Sequence, residues 1–563
     1  MARVKKGALA REAERLRQER AKRMARENGK TPEQAAALRR MYAKGYSDAG
    51  ASYVKRALKA FNAQSGAPSE DIDFNNATLR QRSRMLYMAS PVAAGAINTN
   101  RTKVIGSGLH LKCAVNRDVL GISEEAARRW QKQTEAEWEL WCENKTCDAL
   151  ELNNFYELEA LALKSWLMSG DCFVLFKRYE AGPDVPYTLR LQLVEADRVS
   201  TPTDFAPSVL PSVTEGVNPK NDNRVYDGVE VDGSGRVVAY HVCNVYPGQH
   251  TAEDAAWMRV ETVGKKSGLP NILHLMEAER PDQHRGVPFL APVIEVVLQQ
   301  RRYTESELTA ALVQSYFTAF ITTETDPSLF PLNEVGAGDI DGAENGTELT
   351  GNGVSDSDNE YEMGPGQINH LAPGESVVLG DPNIPTAGFE TFSKTIIKMI
   401  GSALELPYDV LIKEFNSSYS AAKGALEEAW ETFKMRRASF VNDFCRPVYE
   451  TWLAEAVATG RVKAPGFFTD PRIRAAWCGA RWDGPAQTHL DPEKEAKAAE
   501  IEVAHGWKTN EQVTREFYGG DWHDNVAALA EEEAIIMQMR PQPEKTPERE
   551  TDETDAEEKE ARR

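Results

Sequence analysis

The sequence predicts an α+β fold that is mainly helical, and three observations predict it. Two segments of about thirty residues, 288–320 and 423–455, repeat their apolar side chains at the spacing of a helix. Residues 171–285 switch instead to short alternating runs separated by turn residues, the pattern of strands. At 563 residues the chain exceeds what one hydrophobic core serves, so several subdomains are expected.

Bulk composition narrows the class. Hydrophobic residues at 41% and charged residues at 27% suit an ordered globular body. No run of 18 apolar residues occurs, so no membrane span is expected, and the charged start Met1-Ala2-Arg3-Val4-Lys5-Lys6 leads into no secretory signal. The seven cysteines are odd in number and irregularly spaced, which argues against a disulfide framework and suits a reducing cytoplasm. Cys142 and Cys147 have no second Cys or His pair near them in sequence, so buried thiols are expected there and no metal site. The formal net charge of −20 disfavours a sequence-specific DNA binder, which needs Lys and Arg for phosphates. It is compatible with a protein past which DNA slides without sticking.

Taken in order, residues 1–30 form a basic arm with eleven Lys/Arg against four Glu, and the plainer expectation for it is a solvated tail. Thr31-Pro32 offers an N-cap and a proline at the first helical position, opening a helix to about Asn62. Ser90-Pro91 starts a helix of small residues over 92–102, and Val104 to Leu109 reads as a strand punctuated by glycines. Ser123 to Trp141 is amphipathic, with Ala126, Trp130, Thr134, Trp138 and Trp141 near one face. Another helix spans 154–169 and ends at Gly170. Strands are expected at Cys172–Phe176, Tyr187–Val194, Val225–Val231 and Arg236–Val245, with Asp232-Gly233-Ser234-Gly235 as a hairpin turn. The long helix 288–320 carries a polar girdle, including Gln299, Arg301, Arg302 and Glu305. Residues 333–366 have the composition of a mobile loop. A helix follows at 389–404, then the polar stretch 414–422, then the second long helix. Residues 541–563, with nine acidic and five basic side chains, read as a disordered acidic tail.

Catalytic signatures are scarce. The sequence has no His-Glu-x-x-His, Gly-x-Ser-x-Gly, Walker loop or Gly-x-Gly-x-x-Gly ahead of a helix, so no cofactor, metal or ATP-driven motor is expected. Ser420-Ala421-Ala422-Lys423 fits Ser-x-x-Lys, and Ser357-Asp358-Asn359 fits a second element of penicillin-binding enzymes. Their order is reversed and the third Lys-Thr-Gly element is missing, so a hydrolase is only an alternative. The histidines stand singly. Trp477, Trp482, Trp507 and Trp522 are expected in a core, since stacking platforms sit in positively charged grooves.

Four stretches resemble the lambda-type family of phage portal proteins. They are Asn75 to Gly108, with its Arg80-Gln81-Arg82-Ser83-Arg84 run; Leu161 to Phe173, running into Gly170-Asp171; Arg285 to Pro292; and Trp482-Asp483-Gly484, followed by Leu490 to Ala496. The resemblance implies a non-enzymatic ring protein, a dodecamer at one capsid vertex, through which double-stranded DNA enters and leaves. It implies the terminase large subunit, major capsid and scaffold proteins, and neck and tail adaptors as partners, with assembly in the host bacterial cytoplasm. It also implies a portal-type subunit: a basic arm at 1–39, a wing at 40–153 and 321–407, stem helices at 154–170 and 286–320, a β-rich clip at 171–285, a helical crown at 424–535 and the tail from 536. The tunnel loop would be 408–423, with Lys413, Glu414, Asn416, Ser417, Ser418, Tyr419, Ser420 and Lys423 facing DNA. A different head–tail adaptor ring is the structural alternative, although its usual shortness fits a chain of 563 residues poorly.

Overall fold

Helix starts in this chain are written locally. In the computed structural model, which describes residues 66–182, 186–205, 215–246, 255–316, 320–323, 375–378, 388–415, 418–487 and 491–539, the helix start expected at Ser90-Pro91 is in place, and Ser123 and Asn154 cap two more helices. Helix α1 (Phe74–Ala89) gives way to α2 (Pro91–Val104), whose N-cap Ser90 accepts a bond from the Ala93 amide with Pro91 behind it. The first cross-chain strand, β1 (His110–Cys113), and the short α3 (Arg117–Leu120) lead to α4 (Glu124–Cys142), capped by Ser123. A full capping box between Asn154 and Glu157 opens α5 (Phe155–Ser169).

Strands then follow: β2 (Asp171–Arg178), β3 (Leu189–Glu195), β4 (Glu215–Val217), β5 (Arg224–Tyr226), β6 (Val229–Val231), β7 (Val237–Cys243), β8 (Trp257–Glu261) and β9 (Ile272–Met276). They form a three-stranded sheet in the order β3-β2-β9 and a five-stranded sheet β4-β5-β6-β7-β8, antiparallel throughout. Phe173, Val194, Val199, Val229, Tyr240, Val242 and Ile272 pack between the sheets as a core of their own.

Next comes α6 (Ile294–Tyr316), and β10 (Phe320–Thr323) pairs with β11 (Glu375–Val378). Helices α7 (Phe389–Ala403), α8 (Tyr408–Ile412), α9 (Tyr419–Phe440) and α10 (Arg446–Ala458) continue the chain, with a π-helical turn at Val441–Cys445 between the last two. It closes with α11 (Pro471–Trp477), β12 (Ala480–Asp483), α12 (Pro492–Ala504), α13 (Asn510–Tyr518) and α14 (Trp522–Met539). Strands β1 and β12 pair antiparallel, His110 opposite Asp483, and draw distant parts of the chain together. Around that pair lies an aromatic centre: Trp138 meets Trp141, Phe155, Tyr449, Trp452 and Trp482 at ring separations of 4.9 to 5.9 Å.

Several expectations need correction. Val104 to Leu109 is not a strand: Val104 ends α2, and Gly106 and Gly108 turn the chain with φ of 66° and 132°. Val225–Val231 is two strands, because Asp227-Gly228 makes a hairpin with positive φ at both residues. The helix expected over 288–320 begins only at Ile294, after a 3₁₀ turn at Ala291–Val293 containing Pro292, and Phe320 stands on a strand. The helix expected over 423–455 starts earlier, at Tyr419, and carries a π turn just before Pro447, whose missing N–H cannot serve a regular ladder. Trp477 and Trp482 are in the core as expected, whereas Trp522 is half-buried and Trp507 is 72% exposed. Helix α14 continues to Met539, past the boundary expected at 535. The basic arm, the stretch 333–366 and the acidic segment 541–563 lie outside the described residues.

Candidate functional site

The link between α8 and α9 holds the residues singled out for contact with DNA. Lys413 caps α8 in the left-handed region at φ 62°, a conformation that costs a side-chain-bearing residue energy and turns the chain sharply. Its side chain is exposed. Glu414 returns to α8 twice: its amide donates to Asp409 O at 3.2 Å, and its carboxylate accepts from the Tyr408 hydroxyl at 3.2 Å. Asn416 and Ser417 lie outside the described residues. Ser418, Tyr419 and Ser420 are exposed where α9 begins. Lys423, one turn on, lies 3.8 Å from Glu427 and 3.6 Å from Glu495 of α12. Lys494 sits 5.8 Å over the Tyr419 ring.

This geometry does not support a Ser-x-x-Lys nucleophile. The Ser420 hydroxyl meets the Ser418 hydroxyl at 3.4 Å, and the Lys423 ammonium is engaged by two carboxylates. Ser357, Asp358 and Asn359 lie outside the described residues. The girdle residues Gln299, Arg301, Arg302 and Glu305 are exposed on α6. Gln299 bonds Glu295 at 3.2 Å and Arg301 bonds Glu305 at 2.7 Å, each one turn away on the same helix.

A second constellation, which sequence reasoning did not single out, is buried where α1, α5 and the strands meet. Arg285 is fully enclosed. It donates to both Asp171 carboxylate oxygens, at 2.7 and 3.2 Å, and to the carbonyls of Ala196 and Val199 at 2.8 and 2.9 Å. Its Nη1 also reaches the Asp227 carboxylate at 2.7 Å. Arg80 bridges Asp227 at 2.5 Å and Asp197 at 3.2 Å, and Arg84 joins Asp197 as well. The Gly286 amide and His274 Nε2 complete the shell of Asp171, at 3.1 and 3.3 Å. Burial alone would raise the Asp171 carboxyl; the Arg285 guanidinium, the His274 bond and Arg80 outweigh it and hold the carboxyl well below the ordinary range.

Asp73 is the member left over. Both its oxygens are buried without a hydrogen-bond donor, and burial followed by the nearby Asp227 charge pushes its pKa up to about 7. Backbone approach fixes the same junction: Asn76 donates to Gly286 O at 2.7 Å, and a Cβ on Gly286 would lie 1.9 Å from the Gly170 carbonyl oxygen. A further enclosed acid, Glu159 of α5, accepts from the Leu109 amide at 2.7 Å and from Cys445 at 3.3 Å, and burial raises its pKa to about 8. All seven cysteines are buried. Among the described residues of this junction no nucleophile and base meet at an open cavity; the charged groups hold elements to one another.

The junction unites three of the four stretches on which the family resemblance rests: Arg80 and Arg84 from the first, Gly170-Asp171 from the second and Arg285-Gly286 from the third. Residues 54–437, more than half of the chain, match the family described as phage portal protein, lambda family. The portal protein of Escherichia phage N15 is 24% identical over 478 residues, covering 83% of this chain and 86% of that protein. Portal protein B of Escherichia phage lambda is 24% identical over 479 residues, covering 83% and 85%. Among solved structures, the neck of a native gene transfer agent particle computed with C12 symmetry covers 78% of this chain and 92% of its own, at 13% identity and a TM-score of 0.36. By the extent of the family match, this chain belongs to the lambda family of phage portal proteins.

Proposed function

We propose that twelve copies of this chain close into a ring at one capsid vertex and form the channel through which double-stranded DNA is packaged and ejected. The observation that carries this reading is the family match over residues 54–437. Membership in a portal family gives the class of function, and the particular roles of residues are argued from their chemistry. The protein acts without catalysis or cofactor, as a virion component assembled in the bacterial cytoplasm beside major capsid and scaffold proteins. Residues 171–285 serve as the clip, on which the terminase large subunit docks during packaging and neck and tail adaptors dock later. Residues 154–170 and 286–320 serve as stem, 40–153 and 321–407 as wing, 408–423 as tunnel loop and 424–535 as crown.

Twelve chains at −20 sum to a formal −240, so an acidic channel wall repels phosphates from every side and centres the duplex. Salt confines that repulsion to a Debye length of about 10 Å. Lys413 is the charge best placed for brief phosphate contacts, since it is exposed and has no carboxylate within ion-pair range among the described residues. Lys423 reaches a phosphate by leaving Glu427 and Glu495; Arg301 and Arg302 add contacts from the stem. Electron microscopy of the purified protein tests the reading, and closed rings with a central hole are expected. A stable solitary chain that never assembles, even with capsid components, would sink it. Given rings, Lys413→Ala with Lys423→Ala should reduce the DNA retained per intact ring in a packaging assay. Lower stability with unaltered packaging per ring would instead place these lysines in a structural role.

A further inference from the structure

Helices α9 and α13 and strand β12 enclose a cleft of about 350 Å³ whose walls include Trp430, Lys434, Arg437, Arg481, Asp483 and Arg515. Its charges do not cancel. Arg481 is taken by Glu511 at 2.6 Å and by Asp483 at 3.3 Å. Glu516, also on the wall, is taken by Lys508 at 2.9 Å. Lys434 has one carboxylate, Glu431 at 3.0 Å, and its side chain is half exposed. Arg437 and Arg515 have no carboxylate within ion-pair range among the described residues; the acid that acts on both is Asp483. Asp483 itself lies 3.3 Å from Arg481, so its one charge is already shared with that guanidinium.

Arg437 is held as a fixed positive charge. It donates to the carbonyls of Val104, Lys103 and Pro485 at 2.8, 2.7 and 3.0 Å, and its guanidinium lies 5.4 Å from the Trp430 ring. Those partners are neutral, so they orient the group without discharging it. Gly484 leaves room for it: a Cβ there would lie 3.1 Å from Arg437 Cζ and 2.6 Å from Leu109 Cδ2. A volume near the lower end of ligand sites, an excess of cations and a prepositioned guanidinium describe an anion site.

We propose that this cleft binds a phosphate group, with Arg515 and Lys434 as the adjustable donors and Arg437 as the fixed charge behind them. The phosphate belongs to a nucleic-acid backbone or is free phosphate. Assigning it to DNA rests on the channel reading above; phosphate binding by itself does not.

The test uses the full chain and two probes. Anisotropy of a fluorescein-labelled duplex of about 20 base pairs is followed across a salt series, and thermal stability is followed with added orthophosphate. Lys434→Ala with Arg515→Ala should weaken duplex binding several-fold at low salt and flatten the salt dependence by roughly one to two phosphate contacts. The control, Arg128→Ala with Arg129→Ala on the exposed face of α4, should leave both unchanged. If the duplex is indifferent but orthophosphate stabilises the wild type and not the double variant, free phosphate is the source. Equal responses of wild type and double variant to both probes overturn the proposal, as does an equal loss in the control. Microscopy of the same samples keeps two failures apart: a phosphate effect without rings refutes the channel reading and leaves the site, and rings without a phosphate effect do the reverse.

Discussion

Asp171 and Arg285 illustrate why single residues matter more here than any surface charge count. The junction contains the guanidiniums of Arg80, Arg84 and Arg285 and the carboxylates of Asp73, Asp171, Asp197 and Asp227, with Glu195 at its edge 3.7 Å from Arg84, so five acids stand against three guanidiniums. Removing Arg285 strands buried charge: Arg285→Met should cost about 3–5 kcal/mol, read as a fall in melting temperature and in soluble yield. An unchanged melting temperature would show that water reaches Asp171. Asp73 predicts a pH effect. Its pKa rises from 3.8 unfolded to about 7 folded, so the folded chain holds the extra proton between those values. Stability from this group is therefore complete below about pH 4, declines as pH rises, and is lost above about pH 7. Asp73→Asn keeps the neutral form, and should match the wild type near pH 4 and exceed its melting temperature at pH 8. A gap that does not widen with pH would remove Asp73 from the account. These residues were hardly legible beforehand. Arg80, Asp171 and Arg285 stood in the quoted stretches, but Arg285 meets Asp171 across 114 positions, and no local pattern reports such a pairing.

Elements were far more legible, because capping and periodicity are local. Ser90, Ser123 and Asn154 begin helices as their side chains dictate, and Gly170 ends one. The failures also have local causes that only packing reveals. Gly106 and Gly108 sit in a run that reads as a strand, yet a Cβ on Gly108 would lie 2.4 Å from the Tyr156 ring, so a close approach and not a pleat selects glycine. The same logic applies where α5 turns into β2. Gly286→Ala would drive a Cβ against the Gly170 carbonyl, backbone against backbone, and should destabilise by several kcal/mol, in the range seen for overpacking and backbone strain. Chemical denaturation should show the loss. Tolerance of alanine there would mean that the two segments can separate without consequence for the fold. Ser90→Ala should cost about 1–2 kcal/mol, since the buried Ala93 amide loses the hydroxyl that caps it.

At the scale of the whole molecule, β1 and β12 bring residues 110 and 483 into register, and α9 reaches back through Arg436 and Arg437 to α2. Arg436 is buried over Phe289 at 5.0 Å and bonds Asn100, so the second long helix is locked to the first part of the chain and to the segment that opens α6. Those cross-links join the helices around one large core, beside the separate core between the two sheets, and predict that the helical part unfolds together. Severing the β1–β12 pair should therefore unfold more than the strands themselves. A Trp482→Ala variant, which removes a ring from the aromatic centre, should lower the midpoint of unfolding by about 3–5 kcal/mol in a single transition. Two separated transitions would show independent subdomains.

The mix of helix and strand and the order of the elements could be read from the amino-acid string alone, since they depend on spacing and capping within a few turns of chain; the family was legible there only through the resemblance of four stretches to known portal proteins. The buried charge junction, the raised pKa of Asp73 and the basic cleft at Arg437 could not. Each needs groups from remote segments to lose water together, and desolvation is a property of the packed neighbourhood, which periodicity does not contain. The tertiary structure alone decides which charges are cancelled and which remain free to meet a phosphate.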